Sequence, residues 1–145
     1  MSESLQKPDA NFASSLAAAA DLVKRLKSIS VMVVDDHCYM RTLVVRMLRE
    51  IGIQTVHVAS GGDEALALVE KGEPPVDLIL CDLKMPGQDG FAFVAALRRL
   101  PDAKRAHLPI LIMTGNATAD SIDILSTLGV QGVIVKPLAT NVLRA

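Results

Sequence analysis

The sequence predicts an α/β fold: a doubly wound, five-stranded parallel sheet with helices on both faces, preceded by an extra N-terminal helix. Three observations predict it. Five short, β-branched apolar runs recur along the chain. Each of the first four is followed by a segment with helical apolar spacing. Four of the five runs end in polar residues: Asp35-Asp36, Asp82, Thr114 and Lys136. Near-continuous apolar runs mark strands buried on both faces. Alternation of strand and helix implies a parallel sheet joined by right-handed crossovers. In such sheets ligands bind beyond the carboxyl ends of the strands, where the strand order reverses.

The elements follow in order. Val31–Val34 is the first run, and Met40, Leu43, Val44, Met47, Leu48 and Ile51 then repeat at helical spacing until Gly52 stops the helix. Thr55–Val58 reads as a short strand ending in the uncharged Ala59-Ser60, and Asp63–Lys71 as a helix with Ala65, Leu66 and Val69 inward. Gly72 and Pro74-Pro75 break the chain. Val76–Cys81 is the third strand, ending in Asp82, and Asp89-Gly90 opens a helix carrying Phe91, Val94, Leu97 and Leu100. Pro109–Met113 is the fourth strand, a weaker helix runs from about Thr118 to Leu128, and Gly132–Val135 is the last strand.

Composition bounds the function. The chain has 145 residues, half of them hydrophobic, with a net charge of −1. That is one domain with ample core and no reason for disorder. A near-neutral charge with four aromatics (Phe12, Tyr39, Phe91, Phe93) argues against a nucleic-acid module. Cys38 and Cys81 cannot build a disulfide framework or a zinc site alone, and both read as buried thiols. No apolar segment is long enough to span a membrane, and the start lacks a basic signal region, so a cytoplasmic protein is expected.

The carboxyl ends of the strands bring together three carboxylates, a hydroxyl and an ammonium. Taken singly, these are ordinary turn and capping residues. Together they form a set with specific chemistry. Clustered carboxylates repel unless a cation sits among them, and oxygen donors favour a hard ion such as Mg²⁺. One carboxylate can act as a nucleophile toward phosphorus. Phosphoryl transfer asks little more than alignment and charge neutralisation, which the Lys136 ammonium and the Thr114 hydroxyl can assist.

This arrangement resembles the receiver domain of two-component response regulators, a flavodoxin-like (βα)5 fold. The likeness rests on Val33-Val-Asp-Asp36, Cys81-Asp-Leu-Lys-Met-Pro-Gly87 with Gly90, Met113-Thr-Gly115 and Val135-Lys-Pro137, in that order. It divides the chain into an extension, 1–29, and a receiver, 30–145. The resemblance implies that Asp82 accepts a phosphoryl group from a sensor histidine kinase or a histidine phosphotransfer protein. It implies a Mg²⁺ site of Asp35, Asp36, Asp82 and the Lys84 backbone carbonyl. Thr114 and Lys136 would bind the phosphoryl group. The layout is most like the single-domain chemotaxis type, a non-enzymatic switch acting on a downstream protein target, with no nucleic acid or membrane partner. A phosphorylation-independent pseudo-receiver and a receiver fragment of a larger regulator or hybrid kinase are the alternatives. An aspartyl phosphatase of the haloacid-dehalogenase type needs a second acid two residues after its nucleophile, and Lys84 stands there.

Three departures from the family pattern bear on function. Val133 stands where the family has the aromatic ring that swings on activation. Lys84 and Asn116 occupy the two positions that tune phosphoryl lifetime. The final helix, from Leu138 to Ala145, is short and leaves truncation of a longer protein open.

The extension reads as a helix over 10–28. Phe12, Leu16, Ala19, Val23 and Leu26 step by four and three, a heptad seam, and Lys24, Arg25 and Lys27 suit its C-terminal dipole. It docks on its own domain, pairs two copies, or covers the face left bare by the short last helix; a homodimer would use this helix or that face. His37, His57 and His107 read as loop or surface residues, with His37 able to adjust the pH response of the acidic site. Cys81 reads as core, and Met32, Met40, Met47 and Met113 as core fillers.

Overall fold

The structure, a computed structural model, describes residues 10–85 and 89–136, with side chains from residue 13 onward. Eleven elements follow one another: α1 (Ala10–Ser28), β1 (Ser30–Val34), α2 (Cys38–Ile51), β2 (Thr55–Ala59), α3 (Gly62–Lys71), β3 (Leu78–Asp82), α4 (Gly90–Arg98), α5 (Ala103–Ala106), β4 (Ile110–Thr114), α6 (Ala119–Thr127) and β5 (Gly132–Val135). The five strands form one parallel sheet in the order β2-β1-β3-β4-β5. This is the flavodoxin-like receiver topology anticipated from the sequence. The order reverses between β1 and β3, which opens the ligand crevice at their carboxyl ends. Register carries the chemistry there. Val34 pairs with Cys81, so the next residues, Asp35 and Asp82, lie side by side.

Side chains alternate across the sheet and sort into two layers. Met32, Val34, Ile79, Cys81, Ile110 and Ile112 face α3, α4 and α6, where Val69, Phe93, Leu97 and Leu125 meet them. Val31, Val33, Leu80 and Met113 face α2 through Val44 and Leu48. Gly52, at φ 121°, closes α2 in a conformation that a side chain would strain.

Several sequence expectations are corrected. The third strand begins at Leu78 rather than Val76, because the Asp77 carboxylate accepts the Ser30 amide at 2.8 Å and displaces a ladder bond with a side chain. The helix α5 was not anticipated. Four residues are too few to show a period, and it forms because the Asp102 carboxylate accepts the Lys104 and Arg105 amides. In α4 the fully buried aromatic is Phe93, with Phe91 only half-buried. Burial on both faces holds for β1, β3 and β4; the edge strands β2 and β5 are half-exposed because each has one neighbour. Cys38 is exposed at the start of α2, not buried, and Met40 is half-buried rather than core.

The first helix rests on the body only through its last turns. Leu26 and Ile29 join the α2-side layer, while Leu16, Leu22 and Val23 are exposed. An apolar groove of about 390 Å³ opens there, with Leu22, Leu26, Ile29, Leu48, Leu78 and Leu111 among its walls. The seam thus splits: its end docks on its own domain and its middle faces solvent. Phe12's side chain and the expected last helix, Leu138–Ala145, lie outside the described residues.

Candidate functional site

Asp35 follows β1 directly. Its amide donates to the Ala59 carbonyl at 3.1 Å, extending the ladder with β2 by one bond, and its side chain is fully buried. The Asp35 Oδ1 atom accepts the His37 amide at 2.9 Å, and the Arg41 guanidinium donates to the Asp35 carbonyl at 2.7 Å. Asp36, half-buried, stands beside it. Asp82 ends β3 with its carboxylate 6% exposed. Lys136 follows β5, its amide donating to the Thr114 carbonyl at 2.8 Å. From there its Nζ reaches 3.3 Å from Asp82 Oδ1 and 3.7 Å from Asp35 Oδ2. Residues 47 and 54 positions from Asp82 along the chain (Asp35 and Lys136) are thereby in contact range.

Burial raises the Asp82 pKa above the ordinary carboxylate value, and the Asp35 charge adds to the rise. The Lys136 ammonium and the Lys84 backbone amide act against it. Burial, with the nearby carboxylates, pushes the Cys81 thiol far above its usual range. A thiol so protonated is not a nucleophile, in line with its reading as core. Its Sγ–H donates to the Asp82 carbonyl at 3.2 Å.

The donor set fits a hard divalent ion. Asp35 Oδ2 and Asp36 Oδ1 are buried and make no hydrogen bond. Such orphaned oxygens are costly unless a cation satisfies them. Ligand atoms of Asp35, Asp36, His37 and Asp82 lie within 4.8 Å of one another. Three carboxylates and open positions for water match Mg²⁺ coordination.

The remaining predicted residues divide. Thr114 is buried at the end of β4, but its hydroxyl is engaged in its own loop. It accepts the Asn116 amide and donates to the Asn116 carbonyl, both at 3.2 Å. Asn116, two residues after Thr114, and the Lys84 side chain, two after Asp82, are exposed. Val133 is half-buried, pairs in register with Ile112 and packs on the α4 side of the sheet. Pro86 and Gly87, part of the expected turn after Asp82, lie outside the described residues.

Two residues make contacts at the site that sequence reasoning did not specify. His37, read as a loop or surface residue able to adjust the pH response of the acidic site, is exposed as expected, and its Nδ1 stands 3.1 Å from Asp36 Oδ1 and 3.5 Å from Asp35 Oδ1. Its place immediately after the acidic pair was the available signal. Gly90 was read as opening a helix and as part of the motif that carries the resemblance. A Cβ there would meet the Asp82 carbonyl and the Leu83 Cα at 2.8 Å each, so a side chain would push the end of β3. No local pattern signals that contact, because it joins a helix start to a strand end.

No helix among the described residues is long and apolar enough to cross a membrane. The family model for the response regulator receiver domain matches residues 31–145. The chemotaxis protein CheY-3 of Vibrio cholerae serotype O1 is 33% identical over 118 residues, covering 81% of this chain and 88% of that protein. The crystal structure of Vibrio cholerae chemotaxis protein CheY4 superposes with a TM-score of 0.71 at 33% identity, covering 80% of this chain and 92% of that one. The receiver domain of the histidine kinase CKI1 from Arabidopsis thaliana, solved with Mg²⁺ and BeF3⁻, gives a TM-score of 0.71 at 26% identity, with 84% and 91% covered. With a matched family model over most of its length and an acidic crevice at the strand switch point, the chain belongs to the response regulator receiver family and is similar to the chemotaxis single-domain members.

Proposed function

We propose that the protein is a phosphorylatable receiver in which Asp82 accepts a phosphoryl group from a phosphohistidine donor. The observation that carries this reading is the Asp82 carboxylate itself: nearly buried, 3.3 Å from Lys136 Nζ, and next to two carboxylates with unsatisfied oxygens. In the transfer, an Asp82 carboxylate oxygen forms the new P–O bond as the P–N bond breaks, and the electron pair leaves with the donor imidazole. A Mg²⁺ ion held by Asp35, Asp36, Asp82 and the Lys84 carbonyl neutralises phosphoryl charge when bound. Lys136 pairs with a phosphoryl oxygen. The Thr114 hydroxyl exchanges its Asn116 partners for another. Lys84 and Asn116 set access of water and hence phosphoryl lifetime.

The product is a signalling state rather than a turnover product, so no enzyme activity beyond phosphoacceptance and slow autodephosphorylation is assigned. The partners are a sensor histidine kinase or phosphotransfer protein and a downstream protein target, in the cytoplasm. The extension is residues 1–29 and the receiver 30–145. The exposed Leu16, Leu22 and Val23 give the extension a surface for a second copy. With Val133 in place of a ring, switching runs through backbone movement of the loop after Thr114 and α6.

Incubation with Mg²⁺ and a small phosphodonor, read by intact mass, tests the proposal. Wild type should gain one phosphoryl group and bind beryllofluoride, and Asp82→Asn should do neither. Failure of wild type to bind Mg²⁺ or beryllofluoride would leave a phosphorylation-independent partner module as the reading.

A further inference from the structure

We propose that His37 is a direct ligand of the ion in the acidic crevice, so that the site takes a first-row transition ion, Mn²⁺ among them, in preference to Mg²⁺. The inference rests on the receiver reading of that crevice and adds a nitrogen donor to it.

Three observations carry it. First, His37 Nδ1 stands 3.1 Å from Asp36 Oδ1 and 3.5 Å from Asp35 Oδ1, yet the Asp36 oxygen makes no hydrogen bond to it or to any other described group. In an octahedral site with bonds of about 2.1 Å, adjacent donors sit about 3 Å apart. The nitrogen is at that spacing from Asp36 Oδ1 and about half an ångström beyond it from Asp35 Oδ1. Second, the ring is free for the task. His37 occupies the N-cap position of α2 in extended conformation, but its side chain makes no capping bond. Its backbone amide, donating to Asp35 Oδ1, fixes where the ring starts from. Third, Lys136 does not compete for the same side. It approaches Asp82 Oδ1 and Asp35 Oδ2, whereas His37 approaches Asp35 Oδ1 and Asp36 Oδ1. Asp35 divides its two oxygens between a cation on one side and an imidazole on the other.

The chemistry of the added donor decides the preference. Carboxylate, carbonyl and water suit Mg²⁺ and Mn²⁺ alike, but imidazole adds affinity for transition ions and little for Mg²⁺. The ligand set would then be three carboxylates, the Lys84 carbonyl, one imidazole and water, with Asp35 Oδ2 and Asp36 Oδ1 satisfied by the ion or its waters.

The test loads wild type, His37→Ala and Asp36→Asn with Mn²⁺ alone, measures binding by titration calorimetry against Mg²⁺, and records pulsed EPR of the Mn²⁺ form. Wild type should show nitrogen-14 modulation from a coordinated imidazole. His37→Ala should lose that modulation and about tenfold in Mn²⁺ affinity, with Mg²⁺ affinity changed by less than about threefold. His37 is exposed, so the variant should fold as wild type does. Mn²⁺ bound without nitrogen modulation, with His37→Ala unchanged, would overturn the ligand role and leave the receiver site standing. No binding of either ion, or equal binding by Asp36→Asn, would overturn the crevice as a metal site and the ligand role with it.

Discussion

Lys136 Nζ lies 3.3 Å from Asp82 Oδ1, yet the carboxyl still holds its proton more tightly than an ordinary aspartate, because burial outweighs the ammonium. The crevice is thus electrostatically strained toward a bound cation.

A pH dependence follows. Asp82 has its folded-state pKa raised above the unfolded value of about 3.9. Its contribution to stability is therefore fully present below the unfolded pKa and is lost as pH rises through the folded one. At pH 7 in a chelator, Asp82→Asn should melt higher than wild type. Melting curves by circular dichroism from pH 4 to pH 8 should show that gap closing toward the acid end. A gap independent of pH would mean the carboxylate is not the source.

Gly90 backs Asp82. Its amide donates to the Leu83 carbonyl at 2.7 Å, and a Cβ would collide with backbone that cannot rotate away. Gly90→Ala should cost about 2 kcal/mol in urea denaturation, within the usual overpacking range. It should also weaken divalent-ion binding by shifting Asp82. A stable variant with unchanged ion affinity would show that the strand end tolerates displacement.

Arg98 ties three segments together away from the acids. Its guanidinium donates to the Leu128, Gly129, Ala106 and Leu108 carbonyls at 2.8–2.9 Å. Arg98→Ala leaves those carbonyls short of a donor and should cost about 2 kcal/mol. Arg98→Lys should recover less than half of it, since an ammonium cannot fork across four acceptors. Chemical denaturation followed by circular dichroism reads both; full rescue by lysine would reduce the role to charge alone.

The strand–helix alternation was legible because apolar period is a local property. Val31–Val34 or Met40–Ile51 declares its class within a few residues. The gathering of Asp35, Asp36, Asp82, Thr114 and Lys136 at one edge was legible too, since each ends or follows a run and parallel runs share one carboxyl end. What local pattern could not settle was anything fixed by register and packing between distant segments. The 3.3 Å approach of Lys136 to Asp82, the turning of the Thr114 hydroxyl into its own loop, the burial of Phe93 ahead of Phe91 and the contact of Gly90 with the Asp82 carbonyl all belong to that class. Periodicity places a residue on a face or at an end. Only the β1–β3 and β4–β5 registers and the helices stacked on them set the ångströms between side chains, and those distances decide which carboxylate meets Lys136 and whether His37 stands within reach of the acidic pair.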